Sequence, residues 1–158
     1  MCVSCIAQPS ADLKVEADGS VLVAEIGSGL VYVSIPKHCA NSTAIYSPSP
    51  PNKWLQAIKP DAQRRIFSVS SSMTWVDSKG SYWGACIGLP QLGLGKSQRY
   101  AKFPATRNAG EPFHGYPVST TDHKRSVDHK PPPEVLASWT STGVLQKRDA
   151  LLILRGKL

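Results

Sequence analysis

No run of apolar residues in this chain approaches the roughly 20 that a helix needs to cross a bilayer. The opening stretch, MCVSCIAQPSADLK, has no basic segment ahead of its short apolar patch, so it does not read as a secretory signal. These two absences make a soluble, cytoplasmic protein the expectation. Charge is also sparse: Lys, Arg, Asp and Glu supply 18% of 158 residues, too little for a long helical bundle with solvated faces. There is no Ser nucleophile elbow, no His-Glu-x-x-His helix and no deaminase zinc signature, so the familiar hydrolase templates do not apply. Cysteine is limited to Cys2, Cys5, Cys39 and Cys86. Without a secretion signal they are expected as reduced thiols, and Cys86 as a small buried hydrophobe.

What the chain does have is proline, glycine and clustered aromatics. Thirteen prolines and twelve glycines point to a loop-rich α+β chain, and a hydrophobic fraction of 41% is enough for a packed core. The length fits a single domain, 1–158.

The densest apolar stretch runs from Arg65 to Leu89. Thr74-Trp75-Val76 and Tyr82-Trp83-Gly84-Ala85-Cys86 flank Asp77-Ser78-Lys79-Gly80, an Asp-to-Gly turn that predicts a β-hairpin. Ile66, Phe67, Val69 and Met73 are read as part of the same sheet. Upstream, Leu13–Glu16, Val21–Ile26 and Leu30–Ile35 are separated by Asp18-Gly19 and Gly27-Ser28-Gly29, which predicts a three-stranded meander. The expected fold is therefore α+β, with a mostly antiparallel twisted sheet from strands near 13–35 and 66–88.

Residues 1–12 read as a loose N-terminus. Asn52 is placed to cap a short helix through Trp54, Leu55 and Ile58 that Pro60 would close, and Asp61-Ala62-Gln63-Arg64 reads as another helical turn. Residues 90–133 read as a long Pro/Gly-rich loop with one short strand near Gln98–Phe103. Residues 134–158 read as a helical hairpin, with prolines at its first turn and Gly143 as the stop of the first helix.

Of the net charge of +7, all but one unit sits in the second half. Residues 1–79 carry seven Lys/Arg against six Asp/Glu, and residues 80–158 carry eleven against five. Such a bias suits a polyanionic partner: nucleic acid (RNA or DNA), an acidic protein face or anionic lipid. The cations expected to meet phosphates are Lys96, Arg99, Lys102, Arg107, Lys124, Arg125, Lys130, Lys147 and Arg148. Tyr100, Phe103 or Tyr116 would supply stacking surface.

Glu111-Pro112-Phe113-His114-Gly115-Tyr116-Pro117 is the most distinctive segment. Its prolines stiffen a loop around an imidazole, which is one way to present a general acid or base. His114, with Glu111 or Tyr116 as partner, is therefore the candidate catalytic group of a small metal-independent nuclease or toxin-like enzyme. The competing view is that Phe113 and Tyr116 merely anchor the loop. The repeated triplets Asp122-His123-Lys124 and Asp128-His129-Lys130 read as exposed chain.

Three further motifs are weaker. Gly93-Leu94-Gly95-Lys96-Ser97 resembles part of a phosphate loop, but the required earlier glycine is replaced by Pro90, which has no N–H to offer. Cys2-x-x-Cys5 with His38-Cys39 has half the spacing of a zinc site, yet adjacent His38 and Cys39 would point apart, so no metal and no cofactor is expected. The terminal helical hairpin has the outline of a DNA-binding helix pair, with packing of Trp139, Leu151 and Leu154 against the sheet as the simpler role.

Overall fold

The computed structural model describes residues 13–15, 17–18, 20–26, 29–39, 52–121 and 128–158. The chain is α+β, and its described residues form two three-stranded antiparallel sheets and three α-helices. β1 (Leu13–Val15), β2 (Val21–Ile26) and β3 (Leu30–Ser34) form the first sheet in sequence order. Its register pairs Val15 with Val21 and Ile26 with Leu30, as the expected meander requires. A 3-10 turn over Pro36–His38 follows, and then α1 (Pro60–Ser72). β4 (Tyr82–Ala85), β5 (Tyr100–Phe103) and β6 (Tyr116–Val118) make the second sheet, and α2 (Pro133–Ser141) and α3 (Lys147–Leu154) close the chain.

The strand expected from residue 66 is instead the second half of α1. Ala62, Gln63, Ile66, Phe67 and Ser70 are the buried positions, which is helical spacing. Two of those five are polar, and this hid the period. Both are satisfied: Gln63 accepts from the Tyr32 hydroxyl (2.9 Å) and donates to the Ile58 carbonyl (2.9 Å), while Ser70 Oγ donates to the Ile66 carbonyl (2.7 Å).

Pro60 also plays the opposite part from the one expected. It begins α1 at the first helical position, where its missing N–H costs nothing. Asp61 in that first turn pairs with Arg64 (3.1 Å) and Arg65 (2.6 Å). The helix expected at Asn52–Ile58 is absent. Leu55 N donates to the Leu92 carbonyl and Leu94 N to the Lys53 carbonyl, so Trp54 lies in an extended bridge opposite Gly93.

The hairpin turn itself is as expected, with a short first arm. Asp77 Oδ1 accepts from the N–H groups of Lys79 and Ser81 (both 2.9 Å), Oδ2 accepts from Trp83 Nε1 (3.0 Å), and Gly80 sits at φ 81°. Only Trp75 and Val76 pair back onto Trp83 and Tyr82.

The predicted loop 90–133 contains two strands of the second sheet. β6 carries Pro117 inside it, which is tolerated because β6 is an edge strand.

Alternation along β4–β6 divides the core between two faces. Trp83, Ala85, Tyr100 and Val118 pack with Trp75, Val135, Leu136, Trp139 and Ile153, which places α2 and α3 on one face. Cys86, Ala101 and Phe103 pack with Phe113, Tyr32, Trp54, Ile66 and Phe67, which places α1 and β3 on the other. The helix pair is thus packed into the core, as the simpler expectation held. Ile153 is its buried anchor, while Leu151 is exposed. Gly143 ends α2 at φ 75°. No helix among the described residues is long and apolar enough to cross a membrane.

Candidate functional site

The loop that carries His114 is held at both of its ends. Phe113 adds to the edge of β3: its N–H donates to the Val31 carbonyl (2.8 Å) and its carbonyl accepts from Val33 (2.7 Å). Tyr116 begins β6, opposite Lys102 on β5. Between them, the Gly115 carbonyl accepts from Trp54 Nε1 (3.0 Å). A Cβ at Gly115 would lie 2.3 Å from the Phe103 ring, so only glycine lets the chain ride this close to the core.

Three histidines surround the Tyr116 ring. The His38 ring lies 4.9 Å away by centroid, His129 6.1 Å and His114 6.5 Å. His38 and His114 are stacked nearly parallel, 6.0 Å apart at 8°. His38 Nδ1 is 2.7 Å from the Asn52 carbonyl, which can only accept, so Nδ1 carries the proton. His38 and His129 are buried, and His114 is partly exposed.

His114 forms part of the wall of a cleft of about 420 Å³ that Lys37, Thr106, Arg107, Glu111 and Tyr116 also line. Burial, and then the nearby Lys37 ammonium, hold the His114 pKa below its ordinary value. The ring is therefore a neutral base near pH 7. The competing view of this segment is half right: Phe113 anchors the loop, and His114 still faces open space.

Glu111 lines the same cleft, with its carboxylate bound within its own loop. It accepts from the N–H groups of Arg107 (3.0 Å) and Asn108 (3.2 Å) and from Asn108 Nδ2. Those bonds, chiefly from Asn108, lower its pKa. Glu111 thus shapes the turn that presents Arg107.

The predicted cations fall into separate groups. Arg107 is in the His114 cleft, joined there by Lys37, which the charge argument passed over because it lies in the less basic half. Lys102 and Lys130 line a second cleft of about 160 Å³ with Asp77, Lys79, Trp83 and Asp128. Arg99 donates Nη1 to the Leu89 carbonyl (2.9 Å) and lines neither the His114 cleft nor the Lys102 cleft. Lys96, Lys147 and Arg148 are exposed on a turn and on the first turn of α3, and line neither of these clefts. Lys124 and Arg125 lie outside the described residues.

The Gly93–Ser97 loop is a tight turn and does not cradle a phosphate: Gly95 N is already donated to Gln98 Oε1 (3.1 Å). Residues 128–130 are not bare linker, since His129 is buried against Tyr116. Tyr100 and Phe103 are fully buried and offer no stacking surface. Cys39 turns away from His38 into a different cleft, beside Trp54 and Pro60. No group of three or more His, Cys, Asp or Glu among the described residues is arranged to hold a metal ion. Cys2 and Cys5 lie outside the described residues.

No protein-family model, no curated protein and no solved structure matches this chain.

Proposed function

We propose that the His114 cleft binds the phosphate backbone of a nucleic acid. The observation that carries this reading is the meeting of Lys37 and Arg107, from distant parts of the chain, at one cleft walled by an imidazole and a phenol. Cations neutralise phosphates, and the polar edges of His114 and Tyr116 line the same cleft. The test is binding of fluorescent single-stranded RNA and DNA oligonucleotides across a salt series. Affinity should fall steeply with salt, with a log–log slope of about −0.7 per neutralised phosphate. Lys37→Glu and Arg107→Glu should each weaken it. A protein that ignores a polyanion column at low salt overturns the reading, and one that purifies with one stoichiometric acidic protein and no nucleic acid overturns it in favour of an acidic protein partner.

A second reading is favoured by the place of the His114 imidazole, in one cleft wall with Lys37, Arg107 and Tyr116: cleavage of RNA at the same cleft. The neutral ring takes the proton of a 2′-hydroxyl, the 2′-oxygen bonds to phosphorus, and the P–O5′ bond breaks. The departing oxygen takes a proton from Tyr116 or from water. Lys37 and Arg107 offset the charge that builds on the phosphorane. RNA breakdown in EDTA that vanishes in His114→Ala, with the fold retained, supports this. Equal breakdown by the variant removes His114 from the chemistry.

A further inference from the structure

The second cleft, on the same face of the β4–β6 sheet, has a composition that the His114 site does not explain. Three lysines, Lys79, Lys102 and Lys130, converge on it against two carboxylates, Asp77 and Asp128. Two of the ammonium groups are held by carbonyl oxygens, which fix a cation without neutralising it. Lys102 Nζ donates to the Asp128 carbonyl (2.6 Å), and Lys130 Nζ to the Leu154 carbonyl (2.5 Å). The Asp77 carboxylate is already shared among three N–H donors. Lys102 also lies over the Trp83 ring, 5.1 Å from its centroid, and is partly buried. An anion entering this cleft therefore meets three ammonium groups, two of them fixed in place, against two carboxylates, a net positive charge beside a low-dielectric wall, where attraction is stronger than in open water.

The two clefts adjoin. Lys102 lines one and Tyr116 lines the other, and the two residues are register partners on β5 and β6. Neighbouring strands lie about 4.8 Å apart. Residues 128–130 sit at the seam, with His129 against Tyr116 and with Asp128 and Lys130 on the side of Lys102.

We propose that the Lys79–Lys102–Lys130 cleft is a second phosphate subsite, so that the ligand is a single-stranded polynucleotide held at more than one phosphate. This rests on the reading of the His114 cleft as the first subsite. A mononucleotide fills one cleft; a longer strand spans both and gains affinity through the second contact without a second loss of translational freedom.

The experiment compares uridine monophosphate with uridine oligonucleotides of two to eight residues, by calorimetry at low salt, on the wild-type chain and on two double variants. In the wild type, affinity should rise at least tenfold between the mononucleotide and the longer strands. Lys79→Glu/Lys130→Glu should abolish that rise, reduce the salt slope by about 0.7 per lost phosphate, and leave mononucleotide binding intact. Lys37→Glu/Arg107→Glu should remove mononucleotide binding. Lys79→Gln alone, at an exposed turn, gives a milder version in a protein whose fold is not at risk. Unchanged length dependence and salt slope in both Lys79 variants overturn the second subsite while the first reading stands. Loss of neither kind of binding in any variant overturns both.

Discussion

Gly115→Ala tests the packing that places His114. The new Cβ would lie 2.3 Å from Phe103 Cδ1 and 2.4 Å from Cε1. Favourable carbon–carbon contact is about 3.5–4.0 Å, so the atoms must separate by more than about 1 Å. The Phe103 ring has little room to yield. It is fully buried, with Phe67 at 5.0 Å and Tyr32 at 5.9 Å by centroid. The 114–116 backbone must therefore move outward, and the Trp54 indole loses the Gly115 carbonyl. Overpacking costs about 1–3 kcal/mol, and the lost hydrogen bond adds about 1 kcal/mol. At about 2–4 °C per kcal/mol for a chain of this size, the melting temperature should drop by roughly 4–16 °C. Urea unfolding followed by circular dichroism gives the free energy, and tryptophan fluorescence reports Trp54 within it. Gly110→Ala is the comparison, because Gly110 has φ 81° but no atom within 4 Å of the new methyl. A Gly115→Ala protein as stable as the wild type, or more stable than Gly110→Ala, refutes the close approach and with it the placement of His114.

Other outcomes follow from the same structure. Asp77→Ala leaves three N–H groups without their shared acceptor and should cost about 2–3 kcal/mol in urea unfolding, with a change in the Trp83 environment; an unchanged midpoint would show that the turn does not depend on the carboxylate. Tyr32→Phe removes one of the two partners of buried Gln63 and should cost about 1–3 kcal/mol in urea unfolding; an unchanged midpoint would show that the bond does not contribute. The folded-state pKa of His114 lies below the ordinary 6.5, so the unfolded chain binds its proton more readily. Its contribution to stability is complete above pH 6.5 and is lost as pH falls from there through the folded-state pKa. His114→Asn should flatten the stability–pH curve in that acid window, and an identical curve would contradict the depressed pKa.

If His114 acts as the base in RNA cleavage, the acid limb of kcat/KM should lie below the ordinary histidine value, since the free site already disfavours the imidazolium.

The local devices of this fold were legible one residue type at a time. Asp77 and Gly80 make their turn from a short carboxylate and a backbone free to take positive φ, and neither needs a distant partner to do so. The N-terminal meander and the α2–α3 hairpin followed from the same kind of signal, alternation between turn residues or a proline start with a glycine stop. Of α1 only the first turn, Asp61–Arg64, was legible, and the rest was lost because Gln63 and Ser70 sit on its buried face. A polar side chain is stable there only through a partner such as Tyr32, 31 residues away, and nothing near it in the chain announces that partner. The candidate site divides along the same line. Prolines and an aromatic pair marked His114 as a presented imidazole. The stacking of His38 on it, the arrival of Lys37 beside Arg107, and the burial of His129 against Tyr116 depend on β3 meeting Phe113 and on β5 pairing with β6. Sequence by itself determines contacts a few bonds apart; which charges share a cleft is decided when long-range burial brings the strands together.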